Sequence, residues 1–331
     1  MGSPLYTVRM RSYRSFLSTC LFAALAVSTA KADTFDAMYV FGDSLSDVGN
    51  AYIASGGTTP ASPPYSNGRF SNGNLWVQDL ATSYNLPAVQ ASLAGGSDYA
   101  VGGATTSSTG LGNLGWQLSQ FSAAHPVANP NGLYMIWIGA NDLNAILSSN
   151  PSPAQATAEA LQVVANIDGA ITTLAGDGAK NFLVVTVPDL GKTPDAIAAG
   201  PAGVAAASGL SGAFDSALVS SLGSFAGGPN ISVLDAYSLL DAAVANPSGY
   251  GFSNVTAPCL VGTVVCANPN SYLFWDGEHP TAAGQQLVAS TALQVIPETA
   301  VPEPATWTML TAGAGVLGLA AARRRRNDLL N

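Results

Sequence analysis

Residues 37–50 read Ala37-Met38-Tyr39-Val40-Phe41-Gly42-Asp43-Ser44-Leu45-Ser46-Asp47-Val48-Gly49-Asn50. The first five are apolar without alternation, the pattern of a strand buried on both faces. Gly42-Asp43-Ser44 then breaks the run. In open α/β sheets ligands sit at the carboxyl ends of strands, so Ser44 stands where a substrate would be met. Taken alone, a serine there is equally well a helix N-cap.

Four similar runs follow: Tyr99–Val101, Leu133–Ile138, Phe182–Val187 and Ile231–Leu234. Helical patterns are expected over Pro153–Leu174, Phe214–Phe225 and Thr281–Ile296. The first has Pro in its opening turn and stops before Gly176. Strands alternating with helices predict one α/β domain with a parallel sheet covered on both sides. Asn67-Gly68 and Asn72-Gly73 mark turns in a long Pro- and Gly-rich insert after the first strand.

Composition excludes other classes. Of 331 residues, 48% are hydrophobic and only 9% charged, which is incompatible with a disordered solvating chain. Between positions 33 and 298 only Arg69, Lys180 and Lys192 oppose 18 carboxylates. Such a surface repels phosphate backbones, so no nucleic-acid partner is expected.

The ends read as addresses. Arg9, Arg11 and Arg14 precede the apolar stretch Phe16–Val27, and Ala30-Lys31-Ala32 offers small residues for cleavage before Asp33. Residues 1–32 are therefore expected to be a signal peptide, the alternative being a membrane anchor. Val301-Pro302-Glu303-Pro304 precedes an uncharged run of 18 residues, Ala305–Ala322, closed by Arg323–Arg326. That run is just long enough to cross a bilayer, and the arginines would hold its end in the cytoplasm. Residues 299–331 resemble a PEP-CTERM sorting tail of Gram-negative bacteria. The resemblance implies transient inner-membrane anchoring through 305–322, processing by an exosortase-type enzyme, and delivery to the surface or matrix. Gly313-Ala314-Gly315-Val316-Leu317-Gly318 inside the run matches a dinucleotide fingerprint, but it lacks the strand, helix and acidic residue that give the motif meaning.

Three further clusters carry chemistry. Asp98-Tyr99-Ala100-Val101-Gly102-Gly103-Ala104 ends a strand with glycines that let a backbone N–H approach a ligand. Ile138-Gly139-Ala140-Asn141-Asp142 offers an amide that can donate to an oxyanion. Phe274-Trp275-Asp276-Gly277-Glu278-His279-Pro280-Thr281 holds one of two histidines, with an aspartate three residues earlier, close enough to orient its ring. A serine nucleophile needs such a base near neutral pH. His125, in Ala-Ala-His-Pro, has no acidic neighbour and is expected in a solvated loop.

Together these blocks, with Asn67-Gly68-Arg69-Phe70-Ser71-Asn72-Gly73 and Val187-Pro188-Asp189-Leu190-Gly191, resemble the GDSL family of SGNH hydrolases, which are esterases and lipases. The resemblance covers residues 33–298. It implies a flavodoxin-like three-layer α/β/α fold with about five parallel strands. It implies Ser44 as nucleophile, His279 as base and Asp276 as its orienting partner. The oxyanion donors would be the N–H of Ser44, the N–H of Gly103 (or of Gly102) and the side chain of Asn141. Asp98 departs from the asparagine frequent in relatives, a change expected to touch the strand end rather than the chemistry.

No metal or cofactor is expected, since two histidines and three scattered cysteines make no zinc site. Cys20 leaves with the signal. Cys259 and Cys266, an even pair in an exported chain, predict a disulfide just before the Asp276–His279 loop. The expected function is hydrolysis of a small-molecule or lipid ester, with acyl transfer at the same serine or a non-catalytic matrix role as alternatives. Residues 51–66 and 107–130 are candidate walls of the substrate pocket.

Overall fold

The computed structural model describes residues 35–296. The expected signal peptide and the sorting tail with its apolar run lie outside the described residues. In chain order the main elements are β1 (Ala37–Gly42), α1 (Asn50–Ala54), α2 (Trp76–Ser83), α3 (Leu114–Ala124), β2 (Gly132–Trp137), α4 (Ala140–Ser149), α5 (Pro153–Gly176), β3 (Asn181–Val185), α6 (Pro194–Ala198), α7 (Gly200–Leu222), β4 (Asn230–Leu234) and α8 (Ala236–Ala245). They are followed by β5 (Asn254–Pro258), β6 (Leu260–Val261), β7 (Val264–Val265), β8 (Tyr272–Phe274) and α9 (Ala282–Val295).

The central sheet has the order β1-β2-β3-β4, all parallel. Alternate side chains of each strand enter opposite layers, as the two-residue period of a strand requires. Tyr39, Phe41, Tyr134, Ile136, Phe182 and Val184 pack in one core with side chains of α3, α5 and α7. Met38, Val40, Met135, Trp137, Leu183 and Val185 pack in the other with α2 and α9. Three layers result, and their uninterrupted apolar strands follow from burial on both faces.

The expected fifth strand is reduced. Residues 97–101 run parallel beside β1, with Val40 N–H donating to Ser97 O, Tyr99 N–H to Val40 O and Val101 N–H to Gly42 O. Only Asp98 forms a bridge, to Val40 on one side and Ala91 on the other. Asp98 turns its own carboxylate inward to accept N–H groups of Val48 and Ala100 at 2.7 and 2.9 Å. The segment is thereby spent on holding the loop after β1 rather than on a regular ladder.

The helices have identifiable starts. Ser152 and Gln155 cap α5 reciprocally, with Pro153 in the first turn. Thr281 accepts the Gly284 N–H at the start of α9. α7 begins at Gly200, well before the expected Phe214. Its first half is mostly Gly, Ala and Ser, with only Pro201, Val204 and Leu210 among them, and shows no clear apolar stripe until Phe214, Leu218 and Leu222. His125, expected in a solvated loop, instead ends α3 as a half-buried ring against Phe121 (centroids 4.9 Å) and Tyr39 (5.1 Å). Burial pushes its pKa below the ordinary histidine value.

The expected disulfide joins Cys259 to Cys266 and closes the β6–β7 hairpin. Cys259 and Leu260 donate N–H groups to Phe274 O and Trp275 O, which fastens this hairpin to the residue before Asp276. A cross-link over so short a loop removes about 2–3 kcal/mol of unfolded-state entropy. Cys259→Ser/Cys266→Ser is therefore expected to lower the stability by that amount, read by thermal or denaturant unfolding. A double variant as stable as the parent would contradict this role.

Candidate active site

Ser44 sits in the turn that leaves β1, two residues past its end. Its position is set by carboxylates that take up the loop's backbone donors. Asp43 Oδ1 accepts the Leu45 N–H at 3.0 Å. Asp47 accepts those of Gly49, Asn50 and Ala51 at 2.8, 2.5 and 2.9 Å. Asp47 also accepts the Gly102 N–H at 2.7 Å. One buried side chain thus fixes the serine loop and the glycine loop against each other. The Asn50 side chain adds bonds to the Asp98 and Ala100 carbonyls.

His279 and Asp276 share a loop between β8 and α9. Trp275 N–H donates to His279 O at 2.7 Å and closes the turn. His279 Nδ1 lies 2.9 and 2.8 Å from Asp276 Oδ1 and Oδ2, and its Nε2 lies 2.8 Å from Ser44 Oγ. A carboxylate only accepts, so Nδ1 carries the proton and Nε2 is left to accept the serine hydroxyl. Asp276 Oδ1 further accepts the N–H groups of Glu278 and His279 at 3.0 and 2.7 Å. Burial alone would raise Asp276, but its bond to His279 and the attraction between them outweigh it and hold the carboxyl at about 2. Burial alone would lower His279, but its bond and attraction to Asp276, with Glu278 and Asp43 nearby, raise it above the ordinary value of 6.5.

Asn141 lies in the first turn of α4, and its Nδ2 donates to Ala104 O at 2.9 Å. Asp142 accepts the Thr106 N–H and hydroxyl, and Asn166 donates to the same hydroxyl. These bonds tie α4 to the loop after the two glycines. The glycines differ sharply. Gly102 spends its N–H on Asp47, and a Cβ there would fall 2.3 Å from the Phe70 ring. Gly103 has φ +78°, a left-handed conformation that favours glycine, and its N–H has no partner among the described residues.

A cleft opens at Ser44, His279 and Asn141. Its walls are apolar and come from α8, α9, β8 and the loop after β3, through side chains such as Leu190, Leu239, Leu240, Leu273 and Leu287. Residues 51–66 and 107–130, the candidate walls, contribute none of its lining. The insert instead packs beside the base, with Phe70 5.2 Å from the His279 ring and Tyr65 bonded to Asp276. Neither contact was legible, because the partners lie more than 200 residues apart in the chain.

A hydrogen-bonded Ser-His-Asp line at the carboxyl end of a parallel strand is the side-chain geometry of a serine hydrolase. The family model described as GDSL-like Lipase/Acylhydrolase matches residues 38–292, and the chain belongs to that family. Residues 300–326 match the PEP-CTERM protein-sorting motif. The chain is 31% identical over 183 residues to a phosphatidylcholine-sterol acyltransferase of Aeromonas hydrophila, covering 54% of this chain and 52% of that protein. It is 27% identical over 293 residues to a thermolabile hemolysin of Vibrio parahaemolyticus, covering 79% and 64%. It is 29% identical over 363 residues to the esterase EstA of Pseudomonas aeruginosa, covering 91% and 54%. The chain thus spans between about half and two thirds of the length of these relatives.

Proposed function

We propose that the protein is an exported serine esterase that hydrolyses carboxylic esters through an acyl-enzyme on Ser44, and that the acyl group is apolar. The observation that carries this reading is the line Asp276–His279–Ser44 opening on an apolar cleft. In the proposed reaction His279 Nε2 takes the Ser44 proton as Oγ attacks the ester carbonyl. The N–H groups of Ser44 and Gly103 and the Asn141 amide stabilise the oxyanion. Gly103 is preferred over Gly102 because the Gly102 N–H is already committed to Asp47. His279 then protonates the leaving alcohol, and a water activated by the same ring releases the acid. The proposed route to this state is removal of residues 1–32 by signal peptidase and processing of the 299–331 tail by an exosortase-type enzyme.

Acyl transfer is the second reading, favoured by the acyltransferase named among the relatives. Glycerol added as acceptor would yield transesters in that case and only free acid in the other.

The test uses the purified protein, a serine-reactive phosphonate and p-nitrophenyl esters from acetate to palmitate. Labelling at Ser44 and turnover of the longer esters are expected. Leu240→Trp, which narrows the cleft, is expected to cut the rate on those longer esters by more than about tenfold and to spare acetate, since even one methylene in an apolar pocket is worth about tenfold or more. No labelling of Ser44 and no turnover of any ester would sink the proposal.

A further inference from the structure

We propose that Tyr65 is a positioning residue of this site, its hydroxyl holding Asp276 in line with His279 so that the acid–base unit is a chain of four side chains. This rests on the reading of Ser44 as a nucleophile. Tyr65 Oη donates to Asp276 Oδ2 at 2.6 Å, a contact that joins positions 211 residues apart. The length falls in the range of charge-assisted O–H···O⁻ bonds, about 2.5–2.7 Å.

The two oxygens of Asp276 are held differently. Oδ1 takes two backbone N–H groups of its own tight turn. Oδ2 takes no backbone donor among the described residues. Only the His279 ring and the Tyr65 hydroxyl reach it. Among the described residues Tyr65 therefore gives Asp276 its one hydrogen bond from outside the loop, and with the donors on Oδ1 it fixes the rotation of the carboxylate about its last bond.

The phenol is itself braced. Its ring meets Phe70 and Trp275 edge-on, at 6.3 and 6.2 Å between centroids. It also packs, with Cys266 and Tyr272, on the buried cluster of Cys259, Leu260 and Trp275. Phe70 in turn lies tilted against His279 at 5.2 Å. Burial, and then the bond to Asp276, push the phenol pKa well above its usual value, so the group serves as a neutral donor. The insert after β1 thereby reaches across the fold to the loop that carries the base.

The hydroxyl also tunes the base. A donor on Oδ2 draws charge from the carboxylate and makes it a weaker partner for imidazolium. The charged groups that act on His279 are Asp276, Glu278 and Asp43; on Asp276 the charged group is His279, and the Tyr65 hydroxyl and the Glu278 N–H act as neutral donors. Tyr65→Phe removes one donor and leaves the other groups in place. The carboxylate becomes more basic, imidazolium is favoured, and the titration of His279 moves upward.

The test follows inactivation of the full chain by a serine-reactive phosphonate across pH, which needs no natural substrate. Tyr65→Phe is expected to slow inactivation about tenfold at the alkaline plateau through looser alignment. Its acid limb is expected to move up by about half a pH unit. The proton NMR signal of the His279 Nδ1–H shifts with it. The more acidic phenol of 3-fluorotyrosine at position 65 keeps the ring and strengthens the donor, so its limb moves down. If the wild type is not inactivated at any pH, the nucleophile reading fails. If the wild type reacts, while both changes leave the limb and the resonance where they were, Tyr65 is packing alone and the proposal is overturned, whatever the rate.

Discussion

Ser44→Ala and His279→Ala are each expected to lower kcat on a turned-over ester by about 10⁵–10⁶-fold, and the double variant to lose no more than either alone. The figure corresponds to about 7–8 kcal/mol of barrier. Neither residue acts without the other. The hydroxyl is a weak nucleophile until Nε2, 2.8 Å away, removes its proton. Once the serine is gone, the histidine has no attacking group to deprotonate. Residual rate in all three variants comes from oxyanion donors and binding alone. The pH profile gives an independent reading. The base must be neutral to accept the proton, and its titration lies above 6.5 because burial, which lowers it, is outweighed by the bond and attraction to Asp276 together with Glu278 and Asp43. The rate therefore falls as pH drops through a midpoint above 6.5, while Asp276, held at about 2, stays ionised throughout. Additive losses in the double variant would mean that the two residues do not work as one unit, and an acid limb below 6.5 would mean that burial outweighs Asp276 at the ring.

How much of this was legible follows from what each element needs. β1 to β4 were legible because burial on both faces forces uninterrupted apolar runs, such as Leu133–Trp137 with every side chain buried. The residues of the Ser-His-Asp line were legible because their types are rare or their blocks distinctive. His279 is one of two histidines. The first half of α7 was not legible, because a segment mostly of Gly, Ala and Ser, with only Val204 and Leu210 larger and apolar, carries no stripe for an amphipathic reading to find. Asp47 was visible as a letter of its block but not as the acceptor that ties two loops together. Tyr65 left no trace at all. Its partner is remote, and the path of a Pro-rich insert is decided by tertiary contacts rather than by any period. The cleft walls were misplaced for the same reason. Residues 51–66 and 107–130 were expected as walls, whereas the apolar helices α8 and α9 supply much of the lining.

Asn141→Ala is expected to lower kcat by about 10²–10³-fold, or roughly 3–4 kcal/mol, with KM changed little. The amide has two N–H donors. One is spent on Ala104 O at 2.9 Å, which fixes the plane of the group. The other is the one proposed to meet the oxyanion at the mouth of the cleft. The fixing is what gives the donor its worth, because a pre-aimed dipole needs no reorganisation as charge develops. Asp142, Thr106 and Asn166 lock the same junction from below. The other two proposed donors are backbone N–H groups, which only proline would delete, and proline would also rebuild the turn. Gly103→Ala would act only indirectly, by straining a residue at φ +78°. Asn141→Asp separates charge from shape. It keeps the size of the side chain, yet a carboxylate there repels the oxyanion, so the loss should exceed that of Asn141→Ala. Steady-state kinetics on one p-nitrophenyl ester decide the matter. A change in KM alone would place Asn141 in ground-state binding, and an Asn141→Asp variant faster than Asn141→Ala would remove the amide from the oxyanion site.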